Sequence, residues 1–559
     1  MEYKEKYLHW LNSLSIDNET RAELESIADD DNEIKSRFIT ELEFGTAGLR
    51  GVLGAGINRM NKYIVRKTTK GFAEYIKSAG AEACNRGIVI AHDNRRCSRE
   101  FCNETACVLA ANGIKAYIFD SLRPTPELSY AVRYLNAFGG VMITASHNPP
   151  EYNGYKLYDD KGCQLVPEIT DILIDYISKI EDPLSVETLS LEEAKDYVTV
   201  LGSDVDESYY EAVMGICVCP DVPKNIKIVY SPQHGTGNVP VRTVLERLGY
   251  NVIPVTEQCT PDPDFSATLN PNPEAAEAYT LSLEYAKNTD ADIVITTDPD
   301  CDRLGVAVKQ GGDYIRMTGN QSAAVLLEYI LSQKAKKGEI PENAVMFNTV
   351  VTSDLGDRVC KKYGVSVEKT LTGFKYIGDK IHRHNRANGK KFVFGYEESY
   401  GCLVADFVRD KDGVQASLML CEAAAYYHEQ GKTLIDVLND LYDEYGYFLD
   451  ALDNFYFKGI DGSKTISALV NNLRNDPPAK VGDIAVAELE DFESEAKMNE
   501  GFPKSNVLRF VLADGSWVAV RPSGTEPKCK FYFSVVAPTV DEAKIKLDLM
   551  RAVFEKDCH

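Results

Sequence analysis

Residues 293–303 read Ile-Val-Ile-Thr-Thr-Asp-Pro-Asp-Cys-Asp-Arg, an apolar β-branched run that passes without a spacer into three alternating aspartates. The run has the length and composition of a strand, and the aspartates have the spacing of a site. In extended backbone, residues two apart face the same side, so Asp298, Asp300 and Asp302 can converge on one cation while Arg303 stays near for an anionic partner. Carboxylates that crowded repel one another unless a metal neutralises them. Hard oxygen ligands in this number suit Mg2+, which would keep coordination places for water and a phosphoryl oxygen. An EF-hand is disfavoured, because Arg303 stands at the glycine position of that loop and Lys309 at the position of its last glutamate.

The same punctuation recurs along the chain. Short apolar runs at Gly87–Ala91, Ile114–Phe119, Val141–Ala145 and Ile226–Tyr230 alternate with longer helical patterns, which predicts α/β layers with much parallel sheet. Most runs end directly in a polar or Gly-rich segment: AHDNRR, TASHNPP, SPQHGTG and TTDPDCDR. Open α/β sheets place ligands at such carboxyl ends. Residues 1–40 are charged and amphipathic, with Tyr7, Leu8, Leu11 and Leu14 at roughly helical spacing, and predict a helical lead-in. The end of the chain differs. Gly446 to about Ser505 reads as polar and largely helix-like, before strand candidates at Val507–Leu512, Trp517–Val520 and Cys529–Val536; together these predict a smaller α+β domain.

At 559 residues the chain exceeds one core, and a prior of ~150 residues per domain gives three or four. Its 44% hydrophobic and 26% charged residues describe a soluble globular protein. A net charge of −24 argues against a nucleic-acid or anionic-membrane binder, so cations for an anionic ligand must be concentrated locally. The fourteen cysteines include no CxxC pair, which disfavours a structural zinc. The N-terminus lacks the apolar core of a signal peptide and no run is long enough to span a bilayer, so the expected location is the cytoplasm.

Three further loops bear chemistry. Thr144-Ala-Ser-His-Asn-Pro-Pro follows a strand candidate, and its two prolines stop both helix and strand. Ser146 on that stiff loop can act as nucleophile or phosphate carrier, with His147 and Lys156 as candidate proton handlers. Arg521-Pro-Ser-Gly-Thr-Glu-Pro-Lys528 describes a phosphate cradle: small residues let backbone N–H groups approach, Ser523 and Thr525 add hydroxyls, and Arg521 adds a fork. Gly395-Tyr-Glu-Glu-Ser-Tyr-Gly401 sets Glu397 and Ser399 on one side, where they can bond sugar hydroxyls. Thr372-Gly-Phe-Lys375 lies upstream of it and Lys411 downstream.

In this order, SHNP, DPDCDR, GYEESYG and RPSGTEP resemble the α-D-phosphohexomutase family, in particular its longer phosphoglucomutase/phosphomannomutase members. Phe44-Gly-Thr-Ala-Gly-Leu-Arg-Gly51, Asp93 with Arg95 and Ser98, Arg123-Pro-Thr-Pro126 and Ser231-Pro-Gln-His-Gly235 extend the resemblance over nearly the whole chain. It implies an α/β fold of three related α/β domains with mixed, largely parallel sheets and a smaller C-terminal α+β domain, arranged around a central cleft. The expected divisions are a lead-in at 1–40, then domains at 41–190, 191–312, 313–445 and 446–559.

The resemblance also implies roles. Ser146 becomes the phosphoserine, and Asp298, Asp300 and Asp302 hold Mg2+ together with a phosphoserine oxygen. Lys156 becomes the general acid/base, with Arg50, His147 and Arg303 beside the transfer site. Thr372, Gly373, Lys375, Glu397, Ser399 and Lys411 bind the sugar phosphate, while Arg521, Ser523, Gly524 and Thr525 hold the phosphate that is not transferring. The implied activity interconverts hexose 1-phosphate and hexose 6-phosphate through a 1,6-bisphosphate. Glucose is the expected sugar and glucose 1,6-bisphosphate the expected activator; mannose and pentose phosphates are alternatives. The expected partner is a small sugar phosphate, with no nucleic acid or membrane, in a monomer or dimer. A haloacid-dehalogenase-type phosphatase also opens with DxD after a strand, but it carries Thr where this chain has Asp302. That class leaves the serine and phosphate loops unexplained, and a silent phosphosugar-binding protein is disfavoured because nucleophile, carboxylate triad and phosphate loop are all intact. Tyr400 stands where shorter members carry Gly, which bears on substrate choice.

Overall fold

The run Ile293–Thr297 is a strand with every residue buried. It lies between a parallel partner, Lys227–Ser231, and an antiparallel one, Leu304–Gln310. The computed structural model describes residues 2–45, 48–457, 462–523, 528–556 and 558. Two units make up the chain: residues 1–317, 378–389 and 401–428 form one, and 318–377, 390–400 and 429–559 the other.

The first unit holds two mixed sheets. One runs Leu49–Val52, Tyr152–Tyr158, Gly139–Ile143, Ile88–His92, Ala116–Phe119, Val198–Leu201 in spatial order. Its last four strands are parallel, and the first two join antiparallel. Helices cover both faces: Ile64, Phe72, Phe101 and Leu109 pack on one, Leu128 and Val132 on the other. A central strand such as Ile88–His92 is therefore apolar on both sides rather than alternating. The second sheet runs Asp313–Met317, Leu304–Gln310, Ile293–Thr297, Lys227–Ser231, Asn251–Pro254. In both sheets the loops that bear chemistry leave the ends of buried parallel strands.

Residues ahead of the first sheet form three helices, Glu2–Asn12, Asn18–Ser26 and Asp31–Phe38. Asp17 and Asp30 cap the second and third by accepting from backbone N–H groups, worth about 1 kcal/mol each. Trp10 is 1% exposed and meets Phe38 and Tyr63 edge-on at 5.9 and 5.4 Å. Burying such a ring contributes roughly 2–3 kcal/mol, enough to fasten a short helical segment that could not hold its shape alone.

In the second unit, Ser366–Thr370 and Lys391–Tyr396 flank Ala344–Thr349, both in parallel. A separate antiparallel sheet runs Tyr447–Tyr456, Lys528–Ala537, Trp517–Pro522, Leu508–Leu512, Ile484–Asp491, Lys480–Val481. The helix-like reading of residues 446–505 is corrected here. That segment contains the helix Gly462–Asn475, but also two of the sheet's longer strands, Tyr447–Tyr456 and Ile484–Asp491. Tyr447–Tyr456 pairs with Lys528–Ala537 along its whole length and leaves much of its own side-chain surface partly exposed. Its Asp and Asn residues therefore stay hydrated while the ladder satisfies the backbone, and the apolar pattern that marks a buried strand is absent.

Candidate active site

Ser146 and the aspartate loop meet inside the first unit. Ser146 follows the buried strand Gly139–Ile143, is 4% exposed and has φ = +51°. Left-handed backbone costs a residue with a Cβ roughly 1–2 kcal/mol. Local bonds hold it there: the Ser146 N–H donates to Thr144 Oγ1 at 2.8 Å, and Arg95 donates to the Ser146 carbonyl. The hydroxyl is thereby aimed at the second sheet. Ser146 Oγ donates to Asp298 Oδ2 at 2.6 Å and lies 3.3 Å from His147 Nδ1.

Asp298, Asp300 and Asp302 are all buried, and one carboxylate oxygen from each lies within 4.8 Å of the others. A tight turn makes this possible, with Cys301 at φ = +54° and its N–H on the Asp298 carbonyl. Asp298 Oδ1 accepts from the N–H groups of Asp302 and Arg303 at 3.1 and 3.0 Å. Asp300 Oδ2 accepts from Lys156 Nζ at 2.8 Å and Thr125 Oγ1 at 3.0 Å, while Asp302 Oδ2 meets Lys411 Nζ at 2.8 Å. Among the described residues the other oxygens, Oδ1 of Asp300 and Oδ1 of Asp302, are buried without a hydrogen-bond partner, Asp302 Oδ1 having only Arg303 Nε at 3.7 Å. Two orphaned carboxylate oxygens in one cluster are costly unless a cation uses them, so the donor set fits a hard divalent ion.

Burial, then the Asp300 and Asp302 carboxylates, push the Asp298 carboxyl well above its ordinary range. Burial works the same way on Asp300, but Lys156 outweighs it and keeps that carboxylate ionised. Burial, then the Arg303 and Arg50 guanidinium groups, holds His147 neutral. Arg50 donates to Asn148 Oδ1 at 3.0 Å, and Arg303 to Glu274 Oε1 at 2.7 Å. Lys411 Nζ pairs with Asp302 across the acidic loop, and its stem is packed over Gly401.

Two further loops of the family resemblance brace the aspartates. A Cβ on Gly235 would lie 2.5 Å from Pro299 Cα, and the Thr236 N–H donates to the Pro299 carbonyl at 2.8 Å, so SPQHG braces the aspartate loop. In the Arg123-Pro-Thr-Pro segment, Thr125 bonds Asp300 by both N–H and hydroxyl. No spacing in the sequence marks either contact, since both join distant loops.

In the second unit, Glu397 Oε1 accepts from the Gly373 N–H at 2.8 Å, joining the GYEESYG loop to Thr372-Gly-Phe-Lys. Gly373 has φ = +116°, which a side chain would strain. Lys375 is buried in the first turn of the helix that begins at Phe374. Glu398 Oε2 accepts from Thr349 and Thr352 at 3.4 and 3.3 Å, and Ser399 follows on the turn. Arg521 closes the strand Trp517–Pro522, and the Ser523 N–H donates to the Lys528 carbonyl across the loop. Burial, then Glu398, push the Tyr532 hydroxyl up despite Arg521, so Glu398, Tyr532 and Arg521 share one electrostatic neighbourhood. Gly524 and Thr525 lie outside the described residues.

Four family models match in chain order: phosphoglucomutase/phosphomannomutase α/β/α domain I over residues 41–183, domain II over 207–312, domain III over 318–445, and the C-terminal domain over 469–552. The chain belongs to the phosphoglucomutase/phosphomannomutase family. It is accordingly an enzyme of the intramolecular phosphotransferase class. A Staphylococcus epidermidis phosphoglucomutase is 39% identical over 523 residues, spanning 90% of this chain and 94% of that one. Among solved structures, parafusin, a phosphoglucomutase from Paramecium in its open form, superposes with a TM-score of 0.71 at 18% identity, covering 93% of this chain and 96% of its own. A phosphoglucomutase/phosphomannomutase family protein from Burkholderia thailandensis gives 0.69 at 20% identity, covering 92% and 97%. At those identities the structural likeness concerns the fold, and it is the fold of this family. Among the described residues no helix is long and apolar enough to cross a membrane.

Proposed function

We propose that the protein interconverts α-D-glucose 1-phosphate and glucose 6-phosphate, with Ser146 carrying the phosphoryl group and glucose 1,6-bisphosphate as intermediate. The observation behind this reading is the 2.6 Å contact of Ser146 Oγ with Asp298 inside a buried three-aspartate cluster. The Staphylococcus epidermidis relative, matched over 94% of its own length, is named phosphoglucomutase.

Cleaving a phosphate monoester unaided is among the slowest reactions in water, and catalysis in the extreme cases must remove more than ~20 kcal/mol. Positioning and charge neutralisation supply most of that. Asp298, Asp300 and Asp302 would hold Mg2+, which neutralises charge on the phosphoryl oxygens. In the forward half-reaction the bond from phosphorus to Ser146 Oγ breaks, a bond to the free hydroxyl of the sugar 1-phosphate forms, and that hydroxyl's proton ends on Ser146 Oγ. The bisphosphate then presents its other phosphate, and Ser146 takes it back.

Two groups differ in what they can do with the proton. His147 Nδ1 lies 3.3 Å from Ser146 Oγ, so it can accept that proton as the hydroxyl attacks and return it on departure. Lys156, bonded to Asp300, supplies positive charge and a donor to the transferring oxygens. Arg50 holds Asn148 in the same loop, and Arg303 and Lys411 flank the aspartates with further positive charge. In the second unit, Glu397 and Ser399 would bond sugar hydroxyls, Thr372, Gly373 and Lys375 would contact the same ligand, and Arg521 and Ser523, with Gly524 and Thr525, would bind the phosphate that is not transferring.

The test is conversion of glucose 1-phosphate to glucose 6-phosphate with and without added glucose 1,6-bisphosphate, compared with mannose 1-phosphate and ribose 1-phosphate. The expected result is the highest kcat/KM on glucose, with a bisphosphate-dependent lag. Release of inorganic phosphate without interconversion would mark a phosphatase and sink the proposal.

A further inference from the structure

We infer that Arg95 is a positioning residue for phosphoryl transfer: by gathering the carbonyl oxygens of the serine loop it turns that loop's amide face toward the phosphoryl group. The inference rests on Ser146 being the phosphoryl carrier.

Arg95 is 3% exposed. Its Nη1 donates to the carbonyls of Pro149 and Tyr152 at 2.8 and 3.0 Å, and its Nη2 to those of Ser146 and Asn148. One guanidinium thus collects four carbonyls from a stretch of seven residues. Its charge is balanced by Asp93, 3.3 Å away and equally buried, which also accepts from the Arg95 N–H and from Ser98 Oγ. The face of the guanidinium lies over the Phe265 ring, 5.0 Å from its centroid. Its chain neighbours reach the same turn, Asn94 donating to the Asp262 carbonyl at 2.8 Å and Arg96 pairing with Asp264. Residues 94–96 therefore tie the serine loop to the 262–265 turn, which belongs to the part of the chain that carries the aspartates.

The chemical consequence comes from peptide planarity. In a trans peptide the C=O of one residue and the N–H of the next point in opposite directions. Fixing the Ser146 carbonyl on Arg95 therefore points the His147 N–H away from the guanidinium and leaves it as a donor for a phosphoryl oxygen. The same arrangement keeps four carbonyl dipoles turned from a group that carries almost two negative charges. Proline at 149 and 150 contributes no N–H, so the amide at 147 is the donor that this orientation sets.

Lysine at this position keeps the charge but loses the planar fork, and cannot serve four carbonyls at once. The experiment mixes unphosphorylated protein with glucose 1,6-bisphosphate and follows Ser146 phosphorylation by rapid quench and intact mass. In that step a phosphorus–oxygen bond of the bisphosphate breaks, one to Ser146 Oγ forms, and the serine proton ends on the departing sugar oxygen. For Arg95→Lys the phosphorylation rate and kcat should fall together by about 10- to 100-fold, the scale of a small misplacement of reacting atoms. KM for glucose 1-phosphate and the Mg2+ concentration at half activity should move by less than about twofold, because the Arg95 guanidinium is buried and taken up by backbone carbonyls.

A folded Arg95→Lys protein that is phosphorylated at the wild-type rate overturns the inference, as does a change confined to KM. Should that variant not fold, Phe265→Leu removes the ring against which the guanidinium is packed, so Arg95 should lose its fixed placement on the four carbonyls and the phosphorylation rate should fall there too; an unchanged rate overturns the inference equally. If wild-type protein takes up no phosphoryl group on Ser146, the proposed function falls first and the role of Arg95 with it.

Discussion

Ser146 Oγ and Asp298 Oδ2 are 2.6 Å apart although 152 positions of chain separate them. Each residue sits in a tight turn just beyond a buried strand, in a different sheet. The contact therefore depends on the strands holding both turns in place, and the two ends of the bond can be tested separately.

Ser146→Ala should lower mutase activity by at least about 10^4-fold, since it removes the proposed carrier of the phosphoryl group. Chelator-sensitive stabilisation by Mg2+ should survive. A comparison with Ser146→Gly isolates the backbone term, because both variants lose the hydroxyl but only glycine relaxes φ = +51°. Glycine should be the more stable of the two by about 1 kcal/mol in urea unfolding. Equal stability would show that the turn is unstrained.

Cation binding to Asp298, Asp300 and Asp302 should appear as thermal stabilisation that EDTA removes. At one hundred times the dissociation constant the gain is about 2.7 kcal/mol. Asp300→Asn should abolish the shift and the activity together. A Mg2+-dependent shift that persists in Asp300→Asn would place the ion elsewhere.

The strand that opens the aspartate loop could be read to the residue, because a run of β-branched residues buried on both faces has no competing solution. The positions of Ser146 and the three aspartates followed from strand ends. Tyr447–Tyr456 escaped, since a ladder satisfies its backbone while its side chains remain hydrated. The supports of the site were equally hidden. Gly235 against Pro299, Thr125 on Asp300 and Arg95 on four carbonyls join segments far apart in the chain through backbone atoms, which carry no side-chain signature.

Glu397→Ala should lower kcat/KM for glucose 1-phosphate by about 10^2-fold, the loss of one or two hydrogen bonds to a charged acceptor. It also frees the Gly373 N–H, so Thr372-Gly-Phe-Lys should loosen with it. Ser146 phosphorylation and Mg2+ binding report on the first unit and should be unchanged. A variant with full kcat/KM would remove Glu397 from substrate binding.

Away from the site, Glu555 offers a pH test. Burial, then Asp453, push its carboxyl from 4.5 to about 7, and its Oε1 is buried without a partner. A carboxyl raised in the folded state stabilises below its unfolded value and loses that contribution as pH rises through the folded one. Between pH 4.5 and 7 wild type should therefore lose stability as pH increases. Glu555→Gln should melt higher than wild type at pH 8, by roughly 1–2 kcal/mol, and match it at pH 5. A difference of the same size at both pH values would refute the attribution to a carboxyl raised by burial and Asp453.

Gly235 tests whether the brace behind the aspartates matters to the metal. Its Cα stands so close to Pro299 that an added Cβ would lie 2.5 Å from both the proline Cα and its carbonyl oxygen. These are backbone atoms and cannot swing aside, so Gly235→Ala must displace the 298–302 turn or the 232–236 loop. Overpacking of this kind costs about 1–3 kcal/mol. The turn is the softer of the two, because Gln233 is fixed by bonds to the Ala278 carbonyl and Thr296 Oγ1. Displacement should thus spread the carboxylates, weakening Mg2+ roughly tenfold for each 1.4 kcal/mol of strain relieved there. Raising the Mg2+ concentration should restore most of the lost activity. If the variant loses stability but keeps wild-type Mg2+ dependence, the loop yields instead of the turn, and Gly235 serves folding alone.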